Sequence, residues 1–308
     1  MQFASDAMRV VMPYRPPYDW AAMVRFLGAR ATPRVERVDE RGYQRSISFG
    51  AYFGSIAVSP MTGADALTVD VAIANPALVP PIVDRVARMF DVDLDPVTVT
   101  ACLSRDPLLK RVCVSHPGIR LPGAWDPFEL AVRAILGQQI SVKAATTIAG
   151  RVAARWGEAI DGAPDVDRLF PLPSALADAP LEEVGIIRAR ANTIRSLAQR
   201  VAARQIDFET AMVLDALMEV PGIGPWTAQY IAMRALRQAD AFPSGDLVLR
   251  RVAGNLTARA LDARSARWRP WRAYAVMLLW QRAGATSKPV KKTPKAAAPP
   301  RSRRRSKR

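Results

Sequence analysis

One histidine and two cysteines restrict the chemistry open to this 308-residue chain. His116 sits in the loop His116-Pro117-Gly118 and has no second histidine with which to build a triad or a multi-histidine metal site. Cys102 and Cys113 are too few for a four-cysteine iron–sulfur cluster or a cysteine-based zinc site. With no export signal they read as two buried thiols. The zinc-deaminase signature and the Walker phosphate loop are both absent, so deamination and nucleotide hydrolysis have no support. Carboxylates remain. Among them Asp246 stands out, because Asp240-Ala241-Phe242-Pro243-Ser244-Gly245-Asp246-Leu247-Val248 is a Pro/Gly loop running into a helix. Asp246 therefore falls at an N-cap or in a first turn, where the helix dipole and free N–H groups favour its ionised form. Most N-cap aspartates are only caps, so position alone leaves both roles open.

A second stretch bears on anions. Met218-Glu219-Val220-Pro221-Gly222-Ile223-Gly224-Pro225-Trp226-Thr227-Ala228 predicts a helix, a glycine hairpin and a second helix. Pro225 suits the first position of the second helix, and Tyr230, Ile231, Met233 and Arg234 continue it. Glycines at 222 and 224 would leave backbone N–H groups bare beside a helix N-terminus, which is a phosphate cradle. A plain turn gives the same pattern.

The elements that must position these residues fall into two groups. Residues 1–115 predict an α+β domain. Trp20, Met23, Val24 and Leu27 share one helix face; Tyr43, Ile47 and Phe49 mark a strand; a run near Tyr52 to Val58 marks another. Leu67, Val69, Val71 and Ile73 alternate with Thr68, Asp70 and Ala72, and a helical stripe follows from Val79 to Phe90. This is an antiparallel sheet with helices on one face. After Leu121-Pro122-Gly123 the strand signals disappear, and residues 116–284 predict an all-helical domain. Asp126-Pro127-Phe128-Glu129 opens its first helix, which runs to Gly137; a second spans about 142–156. Others are expected near 174–182, 188–204, 208–218, 226–237, 246–256 and 270–283. Residues 285–308 are biased to Lys, Pro, Ala, Arg and Ser and are expected to be a disordered basic tail.

Of the formal net charge of +16, residues 288–308 carry +10, which leaves +6 on the body. Such an arm binds polyanions without sequence preference, or simply solubilises the chain. No apolar run reaches the length of a membrane span and Met1 to Arg9 lacks signal-peptide character, so a soluble, intracellular (cytoplasmic) protein is expected; it is read as a monomer.

Gly224 and Asp246 lie 22 residues apart, with a helix and a Gly/Pro-rich loop between them. That order resembles the helix-hairpin-helix DNA glycosylase superfamily, and within it the chain looks like the 3-methyladenine DNA glycosylase II family of alkylation repair. The segments Pro16-Pro17-Tyr18-Asp19-Trp20, Arg120-Leu121-Pro122-Gly123, Arg133-Ala134-Ile135-Leu136-Gly137-Gln138, Trp268-Arg269-Pro270-Trp271-Arg272 and Tyr274-Ala275 extend the resemblance over about 14–284. The resemblance implies that Asp246 is the catalytic aspartate, stabilising an oxocarbenium-like sugar as the C1′–N bond breaks. It implies a pocket of Trp226, Tyr230 and Trp280, with Phe26 and Arg30 reaching it from the first domain. It implies double-stranded DNA carrying damaged bases as the partner, gripped through Gly222, Ile223 and Gly224, with the target base flipped out. No cofactor is needed for the chemistry; a monovalent cation on the carbonyls of Met218, Val220 and Ile223 is implied at the hairpin.

Two positions refine this. Members that also cut the backbone carry a lysine nucleophile where this chain has Trp226, so a monofunctional enzyme is expected. Well-known members place an aliphatic wedge after the Leu-Gly-Gln run; here Gln139 holds that place, and either Gln139 or Ile140 fills the gap left by the base. A non-catalytic hairpin binder, or a glycosylase for oxidised or mismatched bases, is the alternative. Asp246 counts against the first, the missing cysteines and lysine against the second.

Overall fold

The sequence alternation at Leu67–Ile73 becomes the centre of a sheet with one face buried. The structure is a computed structural model that describes residues 7–163 and 165–286. Strands β1 (Met8–Pro13), β2 (Glu36–Asp39), β3 (Gly42–Phe49), β4 (Tyr52–Pro60) and β5 (Ala66–Ile73) form one antiparallel sheet in the order β1-β5-β4-β3-β2. Val58 pairs with Val69 and Tyr43 with Val58, so Tyr43, Ile56, Val58, Leu67, Val69 and Val71 are all buried. Helices α1 (Trp20–Gly28) and α2 (Val79–Phe90) pack on that sheet. Asp19 caps α1 by accepting from the Ala22 amide at 2.9 Å. Two short helices, α3 (Pro96–Leu103) and α4 (Pro107–Ser115), close this unit.

The rest of the described chain is helical apart from one ribbon. Helices α5 (Pro127–Leu136) and α6 (Val142–Trp156) come first. The ribbon, β6 (Ala159–Ala163) and β7 (Val166–Arg168), is absent from the all-helical expectation. It is held from the first unit: the amides of Asp167 and Arg168 donate to the Arg34 carbonyl, and the Ser46 hydroxyl donates to the Arg168 carbonyl. Then follow α7 (Pro173–Leu176), α8 (Arg188–Ala202), α9 (Val213–Met218), α10 (Pro225–Arg234), α11 (Leu247–Val252), α12 (Ala258–Ser265) and α13 (Arg272–Thr286). From residue 287 on, the basic tail read at 285–308 lies outside the described residues. Among the described residues no helix is long and apolar enough to cross a membrane.

Hydrophobic packing divides the chain differently from the linear reading at 115/116. One core joins the sheet and α1–α4 to Ala232, Phe242, Leu249, Trp268 and the buried face of α13. The other is built from α5, α6, α8, α9 and the front of α10. Trp268 Nε1 donates to Asp106 at 2.9 Å and Tyr274 Oη to Asp91 at 2.9 Å, fixing the C-terminal helices to the first unit. Helix α10 thus touches both cores, and its outer face lies where they meet. Both cysteines are free thiols, and Cys102 is half-exposed where two buried thiols are expected. Its end of α3 lies at the surface, beside the Arg269 carbonyl.

Candidate active site

The hairpin is built by the residues around its glycines. Val220 and Ile223 are buried plugs in the second core, which turns the backbone between them outward. Gly222 has φ +93°, and a Cβ there would come within 2.1 Å of the Thr193 hydroxyl oxygen. That hydroxyl donates to the Pro221 carbonyl at 2.8 Å, while Gln138 Nε2 donates to the Gly222 carbonyl at 3.0 Å. Gln138 also donates to the Thr227 hydroxyl at 3.0 Å, so α8, the loop after α5 and the hairpin form one unit. Gly224 is different. A Cβ there would meet nothing within 4 Å, and no side chain caps the N-terminus of α10 at this residue. Pro225 has no N–H and the Ile223 amide donates to the Val220 carbonyl at 3.0 Å, so the Gly224 amide is the donor left at this turn for an anion.

The two glycines therefore separate fold from binding. Gly224→Val should weaken binding to duplexes of any sequence by about tenfold or more, the worth of a hydrogen bond to a charged group. Its melting temperature should stay near that of the wild type. Gly222→Ala should instead melt early. Fluorescence anisotropy on several unrelated duplexes checks this, and a sequence-selective loss would refute a phosphate contact.

Asp246 caps α11. Its Oδ1 accepts from the Leu249 amide at 2.9 Å, and its Oδ2 accepts from Trp226 Nε1 at 3.3 Å. One carboxylate oxygen is thus committed to the helix and the other faces a cavity of about 410 Å³. Arg30, Ile140, Trp226, Tyr230, Asp246 and Trp280 all line it, so the structure brings together most of the residues expected there. Trp226 and Tyr230 stack with centroids 5.5 Å apart and planes 12° apart. Tyr230 and Trp280 lie 6.3 Å apart at 50°, giving an aromatic corner.

Phe26 departs from its expected place. It is buried and stacks against Trp280 at 6.1 Å, with the Arg30 and Arg234 guanidiniums over its ring at 3.8 and 4.6 Å. Phe26 backs the cavity wall and does not line it. Of the two wedge candidates, Gln139 is the exposed tip of the loop, held at φ +57°, and Ile140 faces the cavity.

Two family models match the chain: "AlkA N-terminal domain" over residues 9–126 and "HhH-GPD superfamily base excision DNA repair protein" over 132–266. DNA-3-methyladenine glycosylase 2 of Escherichia coli (strain K12) is 34% identical over 280 residues, covering 88% of this chain and 96% of that protein. The chain belongs to the DNA-3-methyladenine glycosylase 2 family. A probable bifunctional transcriptional activator/DNA repair enzyme AlkA of Mycobacterium tuberculosis (strain ATCC 25618 / H37Rv) is 36% identical over 87% of this chain, which spans 56% of that longer protein. The 3-methyladenine DNA-glycosylase from Archaeoglobus fulgidus superposes with a TM-score of 0.77 over 91% of this chain and 99% of that one. At 20% identity that likeness concerns the fold.

Within this member of the family, the positioning side chains around the cavity come from far apart in sequence. Arg234 is buried under Tyr230, donating from Nε to the Pro122 carbonyl and from Nη2 to the Gly123 carbonyl at 2.9 Å. Arg133, on the cavity wall, donates to Glu36 and to Glu129 at 2.8 Å each, and to the Arg30 carbonyl. Arg45 donates to Glu129 at 2.8 Å, and Tyr43 Oη to Glu36 at 2.7 Å. This buried network bolts β2 and β3 to α5 and sets the end of α1 against the cavity. None of Arg133, Arg234, Gln138 or Thr193 was expected as a site residue. Arg234 and Arg133 carried local signals, since they lie four residues after Tyr230 and Glu129 on their helices.

Proposed function

We propose that this protein is a monofunctional DNA glycosylase that flips an alkylated base of the 3-methyladenine or 7-methylguanine type out of duplex DNA. It hydrolyses the N-glycosidic bond and leaves an intact abasic site in base excision repair. The observation that carries this reading is Asp246 Oδ2, turned into an aromatic-walled cavity and touched there by Trp226 Nε1 at 3.3 Å. A carboxylate facing a cavity beside an anion-binding hairpin can do what a pure DNA binder has no use for. It stabilises positive charge growing on the sugar.

The steps follow from the residues. The Gly224 amide, at the uncapped start of α10, holds a phosphate of the damaged strand, which sets the adjacent sugar toward Asp246. The flipped base enters between Trp226, Tyr230 and Trp280, whose faces attract a cationic alkylated purine. Gln139 occupies the gap in the duplex, with Ile140 behind it at the cavity edge. As the C1′–N bond breaks, the carboxylate faces the oxocarbenium-like sugar and then accepts a proton from the attacking water. Trp226 stands where the lyase chemistry would need an amine, so no Schiff base forms.

Met218, Val220 and Ile223 are assigned a monovalent cation through their main-chain carbonyls. These are neutral oxygens, with Met218 the last residue of α9, and the Val220 carbonyl, which accepts the Ile223 amide at 3.0 Å, keeps a second lone pair. The cation would brace the hairpin against a phosphate. In this reading the enzyme acts on double-stranded DNA as a monomer.

Base release from duplexes carrying alkylated, deaminated or oxidised bases tests the reading. Release from alkylated duplexes is expected, with no covalent adduct on borohydride treatment. Absence of release from every duplex would leave a DNA-binding protein, and a trapped adduct would end the monofunctional assignment.

A further inference from the structure

Three arginines stand together with fewer partners than their burial calls for. Arg85, on α2, is half-buried, with its guanidinium over the Phe49 and Trp125 rings at 4.9 Å each. Among the described residues that guanidinium has no hydrogen-bond or ion-pair partner, and neither has that of Arg88 three residues on. Arg237 gives Nη2 to Asp91 Oδ1 at 2.7 Å, while its buried Nε has no hydrogen-bond partner. Guanidinium donors taken from water without new acceptors are costly, so these suit an acceptor brought from outside the chain. Burial pushes Arg85 below the usual arginine range, with Arg88 and Arg45 adding to the fall and Asp126 and Glu209 opposing it. Asp126 caps α5 through the Glu129 amide at 2.7 Å, and Glu209 is exposed.

The three arginines line one groove of about 580 Å³ together with Trp125, Phe208 and Leu236. Glu209 is the one acid among its lining residues, so the groove is basic and partly apolar. It has no lining residue in common with the Asp246 cavity. Between the two lies a small void, bordered by Arg234 from the cavity and Trp125 from the groove. Helix α10 separates them further, since its ten residues span about 15 Å from Gly224 to the edge of the groove at Ala235. A duplex gripped at Gly224 thus lies a helix length away.

We propose that this groove docks an acidic segment of a partner protein, in which aspartates or glutamates flank an apolar side chain. The surface is independent of the glycosylase reading. Arginine forks take carboxylates by two parallel N–H···O bonds, and arginine clusters are a recurring reader of acidic motifs. Arg85 is already oriented by its two rings, so little side-chain freedom is lost when a carboxylate arrives. Phe208 and Leu236, both half-buried, give an apolar side chain a place to pack and give a phosphate backbone nothing. That apolar lining favours a peptide over a second segment of nucleic acid.

The test measures binding of short fluorescein-labelled peptides to the full chain by anisotropy. One peptide has aspartates flanking a phenylalanine, a second has serine for the phenylalanine, and a third has lysines for the aspartates. The first should bind, and the other two should bind about tenfold more weakly or worse. Arg85→Met keeps an apolar stem against Phe49 and Trp125 and removes every donor, while Arg88→Glu reverses an exposed charge. Each should weaken the first peptide by about tenfold or more, the worth of a hydrogen bond between charged groups. Melting temperature and base release from alkylated duplexes should stay at the wild-type level, and a saturating undamaged duplex should not displace the peptide. No binding of the first peptide, or equal binding of the serine peptide, would overturn the proposal. So would equal binding by wild type and both variants, which would assign the peptide to the basic residues at 288–308. Displacement by the duplex would make the groove part of the DNA surface and overturn it too. Loss of base release in the wild type would touch the glycosylase reading alone.

Discussion

Asp246→Asn should cut base release by about 10³-fold, roughly 4 kcal/mol of transition-state stabilisation, the scale of a preorganised electrostatic group. Binding to a duplex containing an abasic site should change little. Asparagine is the right replacement because Asp246 has two jobs on two oxygens. Oδ1 accepts from the Leu249 amide and caps α11, a role the asparagine carbonyl keeps. Oδ2 accepts from Trp226 Nε1 and faces the cavity; an amide nitrogen there would set donor against donor and remove the negative charge. Alanine would lose the cap as well, at about 1 kcal/mol, and mix folding with chemistry. Single-turnover kinetics with an alkylated duplex, paired with a thermal melt, separates the two. Full release by Asp246→Asn would reduce Asp246 to a helix cap and remove the basis for an enzyme at this site.

What could be read in the sequence was local. The hairpin follows from Pro and Gly placed between helical runs, and the place of Asp246 follows from a loop running into a helix; both signals lie within ten residues. The long strands β3, β4 and β5 show their period-2 alternation directly. What escaped depends on partners far along the chain. The strand β1, MRVVMP, has no clean alternation and exists because Met8–Pro13 finds the edge of β5 some sixty residues later. The ribbon β6–β7 is short and is held by the Arg34 carbonyl. Phe26 was placed in the cavity by resemblance, but the sequence could not show that Arg30 four residues on would lie over its face. The return of α13 onto the first unit is likewise a matter of tertiary packing, since its apolar residues fit a helix of either core.

The strongest effect on folding should come from Glu129. Its Oε2 takes Arg45 and its Oε1 takes Arg133, each at 2.8 Å, with all three side chains largely out of water. Glu129→Ala leaves two guanidiniums sharing Glu36 alone, which Arg45 reaches only at 3.8 Å. Breaking a buried pair from one side costs about 3–5 kcal/mol, because the orphaned charge stays desolvated. For a chain of this size that corresponds to a melting temperature lower by about 5–9 °C. The acid side offers a second reading. Burial raises the Glu36 carboxyl, but Arg133 and Arg45, with the Thr32 amide and the Tyr43 hydroxyl, more than offset it and hold it below its usual range. A carboxyl whose folded value is depressed stabilises the fold above its unfolded value, about 4.3, and loses that contribution as pH falls through the folded value. Glu36→Gln should therefore be less stable than wild type at neutral pH and nearly equal to it in strong acid. Urea titrations across pH measure both. A Glu129→Ala loss below about 1 kcal/mol, the worth of an exposed pair, would mean that water already reaches this network. It could then no longer be what holds α1, and Arg30 with it, against the cavity.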